Sequence, residues 1–336
     1  MPMDRHNYPK IILSGTDPDL PDPCPTGTAR YTDYQEMTCT GKTQLHSCWD
    51  MLTGRVVVMK RLLPEYAIDQ KERRRFLREA RVTAQLQHPN TVPVYDVGRD
   101  ENGDLYFTMK RIAGENLFEI MKRLARHDES TEAKYPLMSL LDILRRASLA
   151  LAYAHNHGVI HRDIKPENIW VGRFAEVILL DWGVAKVWGQ QDDLENETDL
   201  SLHERLKQTE MPLEPLTIAG QRPGTPLYMS PEQVLGRPYI DERTDIFSMG
   251  VLLYEMLAFK EPFRGRTIGE TFDRIINDEP VPPREQAPGR NIPSAVENIA
   301  LKAMAKKPED RYASAMELID AIRDVQHDLP ETRPDV

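Results

Sequence analysis

The stretch His161-Arg162-Asp163-Ile164-Lys165-Pro166-Glu167-Asn168 brings three different polar groups together. Asp163 carries a carboxylate that can accept a proton, and Lys165 carries an ammonium that can neutralise a phosphate. Asn168 adds an amide oxygen, which magnesium takes as a ligand beside carboxylates and water. One short loop of this composition can aim all three groups at a single phosphate.

Four more motifs accompany this stretch, two of them before it in the chain and two after it. They are Val57-Val58-Met59-Lys60, Glu79 in a helical stretch, Asp181-Trp182-Gly183 and Ser230-Pro231-Glu232. With the first stretch, they resemble the motifs of eukaryotic-type (bacterial-like) serine/threonine protein kinases over residues 31–325. The resemblance implies transfer of the γ-phosphoryl of ATP to a protein hydroxyl, with Mg²⁺, in signalling.

The resemblance also implies how each polar residue would act on the nucleotide. Lys60 would meet the α- and β-phosphates, and Glu79 would hold the Lys60 ammonium in place. Asn168 and Asp181 would bind Mg²⁺. Asp163 would orient the substrate hydroxyl and accept its proton, while Lys165 would neutralise the γ-phosphate. The adenine would contact Leu45, Val58, the gatekeeper Met109, and a hinge running from Lys110 to Ile112.

Three other residues match structural positions of the family. Asp245 would brace the backbone of the catalytic loop from a buried helix, and Glu232 and Arg311 would form a buried ion pair in the larger lobe. Breaking such a pair typically costs about 3–5 kcal/mol. Lys165 and Thr225 match serine/threonine kinases better than tyrosine kinases.

Hydrophobic patterning predicts an α+β fold of two lobes, the bilobal protein-kinase fold. A small β-rich lobe with one main helix comes first, and a larger helical lobe follows. Strands are expected at residues 56–60, 91–97 and 105–109, with Asn102-Gly103 as a hairpin turn, and a helix at 69–87. Helices are expected at residues 140–155, 246–257, 295–305 and 313–325.

Composition suggests where the units begin and end. A proline-rich arm is expected at residues 1–28, the small lobe at 29–112, the large lobe at 113–325 and a tail at 326–336. Residues 186–218 form an insert in the activation segment. Within it, residues 191–214 hold eight acidic side chains against Arg205 and Lys207.

Net charge and apolar content exclude several classes of protein. Lys plus Arg is 43 and Asp plus Glu is 53, a net charge of −10 that argues against a nucleic-acid partner. The sequence contains no run of about 18 apolar residues, so it predicts no membrane span, and no export signal is visible. With three cysteines, the expectation is a reduced, cytoplasmic setting.

The phosphate loop departs from the family pattern. Thr38, Thr40 and Thr43 stand at its three glycine positions, and Gly41 falls between them. Threonine brings a Cβ that stiffens the hairpin and limits its approach to phosphates. We therefore expect weakened ATP binding. A pseudokinase scaffold is the alternative function, and a small-molecule phosphotransferase is a weaker one.

The activation segment contains features that suggest control by phosphorylation. Arg162 precedes Asp163, which in the family marks such control, and Thr209 and Thr217 are candidate sites for autophosphorylation. The negative charge of the insert could instead occupy the arginines around Glu79. A passive loop is the simpler alternative. The identity of any protein substrate is not readable from the sequence.

Overall fold

The computed structural model describes residues 23–187 and 226–328. The first 22 residues of the predicted arm, residues 188–218 of the acidic insert with Thr209 and Thr217, Thr225, and the tail beyond residue 328 lie outside these ranges. The unit boundaries expected from composition stay a prediction.

The first lobe is a five-stranded antiparallel sheet with one long helix against it. The strand order is β1-β2-β3-β5-β4. The elements are β1 (Tyr31–Thr40), β2 (Thr43–Asp50), β3 (Arg55–Leu62), the short α1 (Pro64–Ala67), α2 (Gln70–Gln85), β4 (Val94–Arg99) and β5 (Leu105–Lys110). Helix α2 begins after Asp69, whose side chain accepts a hydrogen bond from the Lys71 N–H and caps the helix.

The predicted helical spacing places α2 on the sheet. Phe76, Ala80 and Thr83 are all buried, and Phe76 packs against Phe107 of β5. Strand β4 begins at Val94 rather than at residue 91. Pro93 has no N–H to donate, and Thr91 makes only an isolated bridge to Leu179.

The second lobe is mainly helical. Its first half contains β6 (Gly114–Asn116), α3 (Leu117–Leu124), α4 (Glu129–Lys134), α5 (Leu137–Asn156), β7 (Val159–Ile160), β8 (Ile169–Gly172), β9 (Val177–Leu179) and β10 (Lys186–Val187). Its second half contains α6 (Pro231–Val234), α7 (Arg243–Ala258), α8 (Ile268–Asn277), α9 (Pro283–Gln286), α10 (Ser294–Ala303) and α11 (Ala315–Asp328).

Helix α7 is the centre of the large lobe. Every residue from 244 to 258 is buried, because α7 is covered by α5, α10 and α11. A helix that is buried on every side is typical of the core of a large protein. The small sheet β6-β8-β9 and the pair β7-β10 lie on the same lobe. The structure therefore confirms the predicted bilobal α+β class.

Candidate active site

A lysine on β3 and a glutamate on α2 form an ion pair between sheet and helix. Lys60 Nζ lies 2.6 Å from Glu79 Oε1 and 2.8 Å from Glu79 Oε2. The side chains are only 16% and 13% exposed. Burial would lower the pKa of Lys60, but the carboxylates of Glu79 and Asp181 outweigh it and raise that pKa. The ammonium therefore stays charged at neutral pH.

The Asp181-Trp182-Gly183 turn lies against this ion pair. A Cβ built on Gly183 would come within 3.7 Å of Glu79 Oε2 and 3.2 Å of Asp181 Oδ1. Asp181 adopts a left-handed backbone, with φ +66°. Burial would raise the pKa of Asp181, but the charges of Lys60 and Lys165 lower it. Asp181 is thus held as a carboxylate between two cations.

Asp163, Lys165 and Asn168 meet on one loop, as their spacing predicts. Lys165 Nζ donates to Asp163 Oδ2 over 2.6 Å. Asn168 Nδ2 donates to the Asp163 carbonyl over 2.8 Å. Burial and the nearby Asp181 raise the pKa of Asp163, and Lys165 opposes them only partly. A carboxyl with a raised pKa is a better proton acceptor.

Asp245 holds the catalytic loop, residues 161–168, from inside the large lobe. Its carboxylate accepts the backbone N–H groups of His161 and Arg162, each over 2.8 Å. His155 Nε2 lies 2.8 Å from the same carboxylate. Burial would raise the pKa of Asp245, but its bonding to His155 and its proximity to His161 lower it. The structure thus places Asp245 where the sequence expected a brace.

Three of the predicted adenine contacts, Leu45, Val58 and Met109, lie on one face of the first sheet. In the β-ladders, Leu45 faces Lys60 across β2 and β3, and Val58 faces Met109 across β3 and β5. Directly paired residues share a face, as do residues two apart on a strand. These side chains therefore form an apolar surface on the same side as Lys60. Lys110 ends β5 and Ile112 follows it, half-buried.

The β1–β2 hairpin shows what replaces the expected glycines. It turns at Gly41, with φ +44°, and Lys42. The Lys42 ammonium donates to Glu72 of α2 over 2.6 Å. Thr38 lies opposite Leu45 in the ladder. The tip of this hairpin is therefore linked to the helix that carries Glu79.

Two buried features complete the frame. Arg311 makes two bonds to Glu232, of 2.7 Å and 2.9 Å, with both side chains at 5% exposure or less. The bulky Trp182 is fully buried, and its ring centroid lies 4.5 Å from that of His161. The Trp182 side chain is thus accommodated inside the core.

The donor set suits Mg²⁺ held mainly by a nucleotide. Among residues 23–187 and 226–328, no group of three or more His, Cys, Asp or Glu side chains makes a metal cage. Mg²⁺ usually keeps several waters and binds one or two protein ligands plus phosphates. Asp181 and Asn168 lie on adjoining segments, since the Leu180 N–H donates to the Asn168 carbonyl over 2.8 Å. One carboxylate and one amide oxygen fit that pattern.

Some supporting residues were missed by sequence reasoning. Gln233 Nε2 donates to the Arg162 carbonyl over 2.9 Å and ties the catalytic loop to α6. The contact of His155 with Asp245 and that of Lys42 with Glu72 were also missed. The capping box Ser230-x-x-Gln233 is visible in the sequence and would have located the start of α6. It would not have revealed the contact with Arg162, which is 71 residues away.

Comparison with known proteins agrees with this geometry. Residues 40–322 match the protein kinase domain family, and the chain belongs to that family.

Its relatives include the serine/threonine-protein kinase PknD of Chlamydia pneumoniae, 35% identical over 84% of this chain. PknD of Chlamydia felis is 34% identical over 91% of this chain. PknD of Chlamydia muridarum is 34% identical over 84% of it.

The chain spans about a third of the length of these relatives, since the matches cover 29%, 32% and 30% of them. In the part of the chain that the structure describes, no helix is both long enough and apolar enough to cross a bilayer.

Proposed function

We propose that the chain transfers the γ-phosphoryl group of Mg-ATP to serine or threonine hydroxyls of proteins, with the six polar residues of the cleft in the roles given below. The observation that carries the proposal is their arrangement. The Lys60–Glu79 pair adjoins Asp181, and Asp181 interacts electrostatically with Asp163 and Lys165. Charge balance and alignment are what phosphoryl transfer requires.

The small lobe binds and positions the nucleotide in this proposal. Lys60 contacts the α- and β-phosphates, and its bond to Glu79 keeps a flexible ammonium in one place. Leu45, Val58 and Met109 supply the apolar surface for the adenine. Lys110 to Ile112, at the end of β5, offers backbone groups that the adenine edge can bond.

The large lobe directs the acceptor. The substrate oxygen forms a bond to the γ-phosphorus as the bond to the β-phosphate oxygen breaks, and ADP leaves. Asp163 orients the substrate hydroxyl and takes its proton. Lys165 balances negative charge on the transferred group, because its ammonium lies within 2.6 Å of Asp163 on the same loop.

Asp181 and Asn168 would hold Mg²⁺, which would supply charge neutralisation at the phosphates. Asn168 already donates its N–H to the Asp163 carbonyl, which leaves its amide oxygen as the donor for a cation.

A protein acceptor is favoured over a small metabolite. Lys165 and Thr225 follow the serine/threonine pattern, and Glu232 with its buried partner Arg311 belongs to the framework beside the site. With ATP as the donor, we expect the domain to act on the cytoplasmic side of the cell. Signalling substrates and autophosphorylation belong to this proposal.

Radiolabel transfer from ATP, with magnesium, tests the proposal. Asp163→Asn should lower turnover by about 10²–10⁴-fold, because it removes the proton acceptor, while nucleotide binding persists. Asp142→Asn is the matched control, because Asp142 lies on α5 and pairs with Arg145 and Arg146 at the surface. Its turnover should equal that of wild type.

The same assay separates the kinase from the pseudokinase scaffold, which the altered glycine loop kept open. Equal inactivity of wild type and Asp163→Asn, with partner binding intact in both, would favour the scaffold. Transfer to a metabolite and to no protein would favour the small-molecule enzyme.

A further inference from the structure

A buried polar atom of Trp182 has no hydrogen-bond partner among the described residues. The side chain is fully buried, and nothing in the described part of the chain accepts a hydrogen bond from its Nε1 atom. An indole N–H can only donate, so it has been removed from water without gaining an acceptor. Buried polar groups in this condition are rare because they are unfavourable.

The ring of His161 cannot supply the missing acceptor, although its centroid lies 4.5 Å from that of Trp182. The His161 Nδ1 atom accepts the Asp163 N–H over 3.2 Å. The Nε2 atom lies 3.0 Å from the Leu180 carbonyl and donates to it. A neutral imidazole has one donor and one acceptor, and both are in use. The unpaired N–H therefore belongs to this arrangement of the turn.

The backbone of the same turn is paired but partly strained. The Trp182 carbonyl accepts the Ala185 N–H over 3.1 Å. Asp181, however, has φ +66°, a conformation that residues other than glycine adopt at a cost. The side chain and the backbone of the turn thus both oppose the attraction of Lys60 and Lys165 for the Asp181 carboxylate.

We propose that the unpaired N–H of Trp182 limits the fraction of molecules that present Asp181 to a magnesium-bound nucleotide, which makes Trp182 a positioning residue. In the competing arrangement, the indole leaves its buried site, its N–H is hydrated, and the Asp181 carboxylate turns away from the cleft. Both arrangements are populated in the free protein, and Mg-nucleotide selects the closed one. This inference rests on the proposed role of Asp181.

Replacing the indole N–H by sulfur tests the proposal with little change in the shape of the side chain. Benzothienylalanine, introduced at position 182 by suppression of a stop codon, has two fused rings like those of tryptophan but no N–H. Calorimetric titration with ADP and magnesium should give an affinity about two- to threefold higher than that of wild type, because more molecules are competent to bind. In EDTA the two affinities should be equal, because Asp181 acts only through the cation.

The same replacement at Trp49 is the matched control. Trp49 lies on β2 and is half-buried, and its indole N–H is not buried without a partner. This variant should bind ADP like wild type, both in magnesium and in EDTA. Urea denaturation of all three proteins verifies that each variant folds.

Fluorine NMR of wild type labelled with fluorotryptophan detects the two arrangements without a substitution. The Trp182 resonance is assigned by its absence from the protein with benzothienylalanine at position 182. In the free protein we expect two Trp182 resonances, or one that is broadened by exchange. Saturation with Mg-ADP should leave a single resonance.

Four results would overturn the proposal. One is equal affinity for Mg-ADP in wild type and in the variant at position 182, and another is a gain in affinity that persists in EDTA. A single sharp Trp182 resonance that Mg-ADP does not change is the third. A fall in affinity would show that the N–H has an acceptor, such as a bound water, in the closed arrangement. None of these readouts requires phosphoryl transfer, so they can fail independently of the radiolabel assay that tests the proposed function.

Discussion

The catalytic loop and the β1–β2 hairpin face the same cleft, but different contacts hold them. Asp245 binds the loop through two backbone N–H groups and lies beside His155, and none of its side chain is exposed. The hairpin tip is linked to α2 through Lys42, whose side chain is 47% exposed. Buried bonds to a charged group are worth far more than surface ion pairs.

This difference separates the positioning of the catalytic loop from the covering of the cleft. The orientation of Asp163, Lys165 and Asn168 depends on the large lobe, whose helix α7 is buried from residue 244 to residue 258. The proposed cover over the nucleotide is a hairpin with Thr38, Thr40 and Thr43 at the expected glycine positions. Substitutions in the loop's support should therefore damage folding and turnover together, whereas those in the hairpin should change nucleotide affinity alone.

Asp245→Ala should give the largest effect. It leaves two buried backbone N–H groups and His155 without their acceptor, and we expect a loss of about 3–5 kcal/mol in the free energy of unfolding. Turnover should fall by about 10²-fold, since small displacements of catalytic groups have such consequences. Urea denaturation and transfer assays at low temperature measure both.

Asp142→Ala is the control for Asp245→Ala, because it also removes an aspartate with two basic neighbours. Its side chain is 35% exposed, so its loss should remain under about 1 kcal/mol. Equal losses in the two variants would erase the distinction between buried and exposed anchoring.

Asp50, a fully buried acid at the end of β2 in the small lobe, predicts a pH dependence of stability. Burial would raise its pKa, but bonds from Arg30 and Thr53 and the charge of Arg55 lower it from 3.8 to about 2. A depressed carboxyl pKa stabilises the fold above the unfolded value, and that contribution disappears as pH falls through the folded value.

Between pH 5 and pH 2, the stability difference between wild type and Asp50→Asn should therefore shrink by about 2 kcal/mol. Urea denaturation across that range measures it. A constant difference would show that the ion pair with Arg30 leaves the pKa of Asp50 unchanged, and that small-lobe anchoring does not depend on its charge.

Lys42→Met should give the smallest effect. The exposed ion pair with Glu72 contributes about 0.2–1 kcal/mol, so KM for ATP should rise by no more than about fivefold. The value of kcat should be unchanged, and added salt should remove the difference. Lys260→Met, at an exposed position of the large lobe, is the control. A fall in kcat would show that the β1–β2 hairpin also affects turnover, which the comparison assigns to the catalytic loop.

Much of the framework could be predicted from local patterns. The apolar run of α7 and the Phe76–Ala80–Thr83 spacing of α2 each report burial directly, because a helix repeats its faces regularly. The end of α2 is less readable, since residues 86–87 continue the pattern although the helix ends at Gln85. Strand β4 begins late because Pro93 precedes it.

The family resemblance predicted the charged residues of the cleft, but it did not predict the contacts that hold them in position. Glu79 stands among five arginines on its helix, so its pattern alone would equally fit a solvated residue. The bonds of Lys42 to Glu72 and of Gln233 to Arg162 join residues that are 30 and 71 positions apart. Local propensity carries no information at such separations.

The attachment of the catalytic loop to α7 also determines how the cleft can open. Asp163, the proposed proton acceptor, is attached to the large lobe, whereas Lys60 and the proposed apolar surface for the adenine belong to the sheet of the small lobe. Hinge motion between these lobes would admit ATP or release ADP without disturbing the alignment of Asp163 with Asn168. Substitutions in the sheet would then alter nucleotide exchange, whereas substitutions in α7 would alter the position of the catalytic loop.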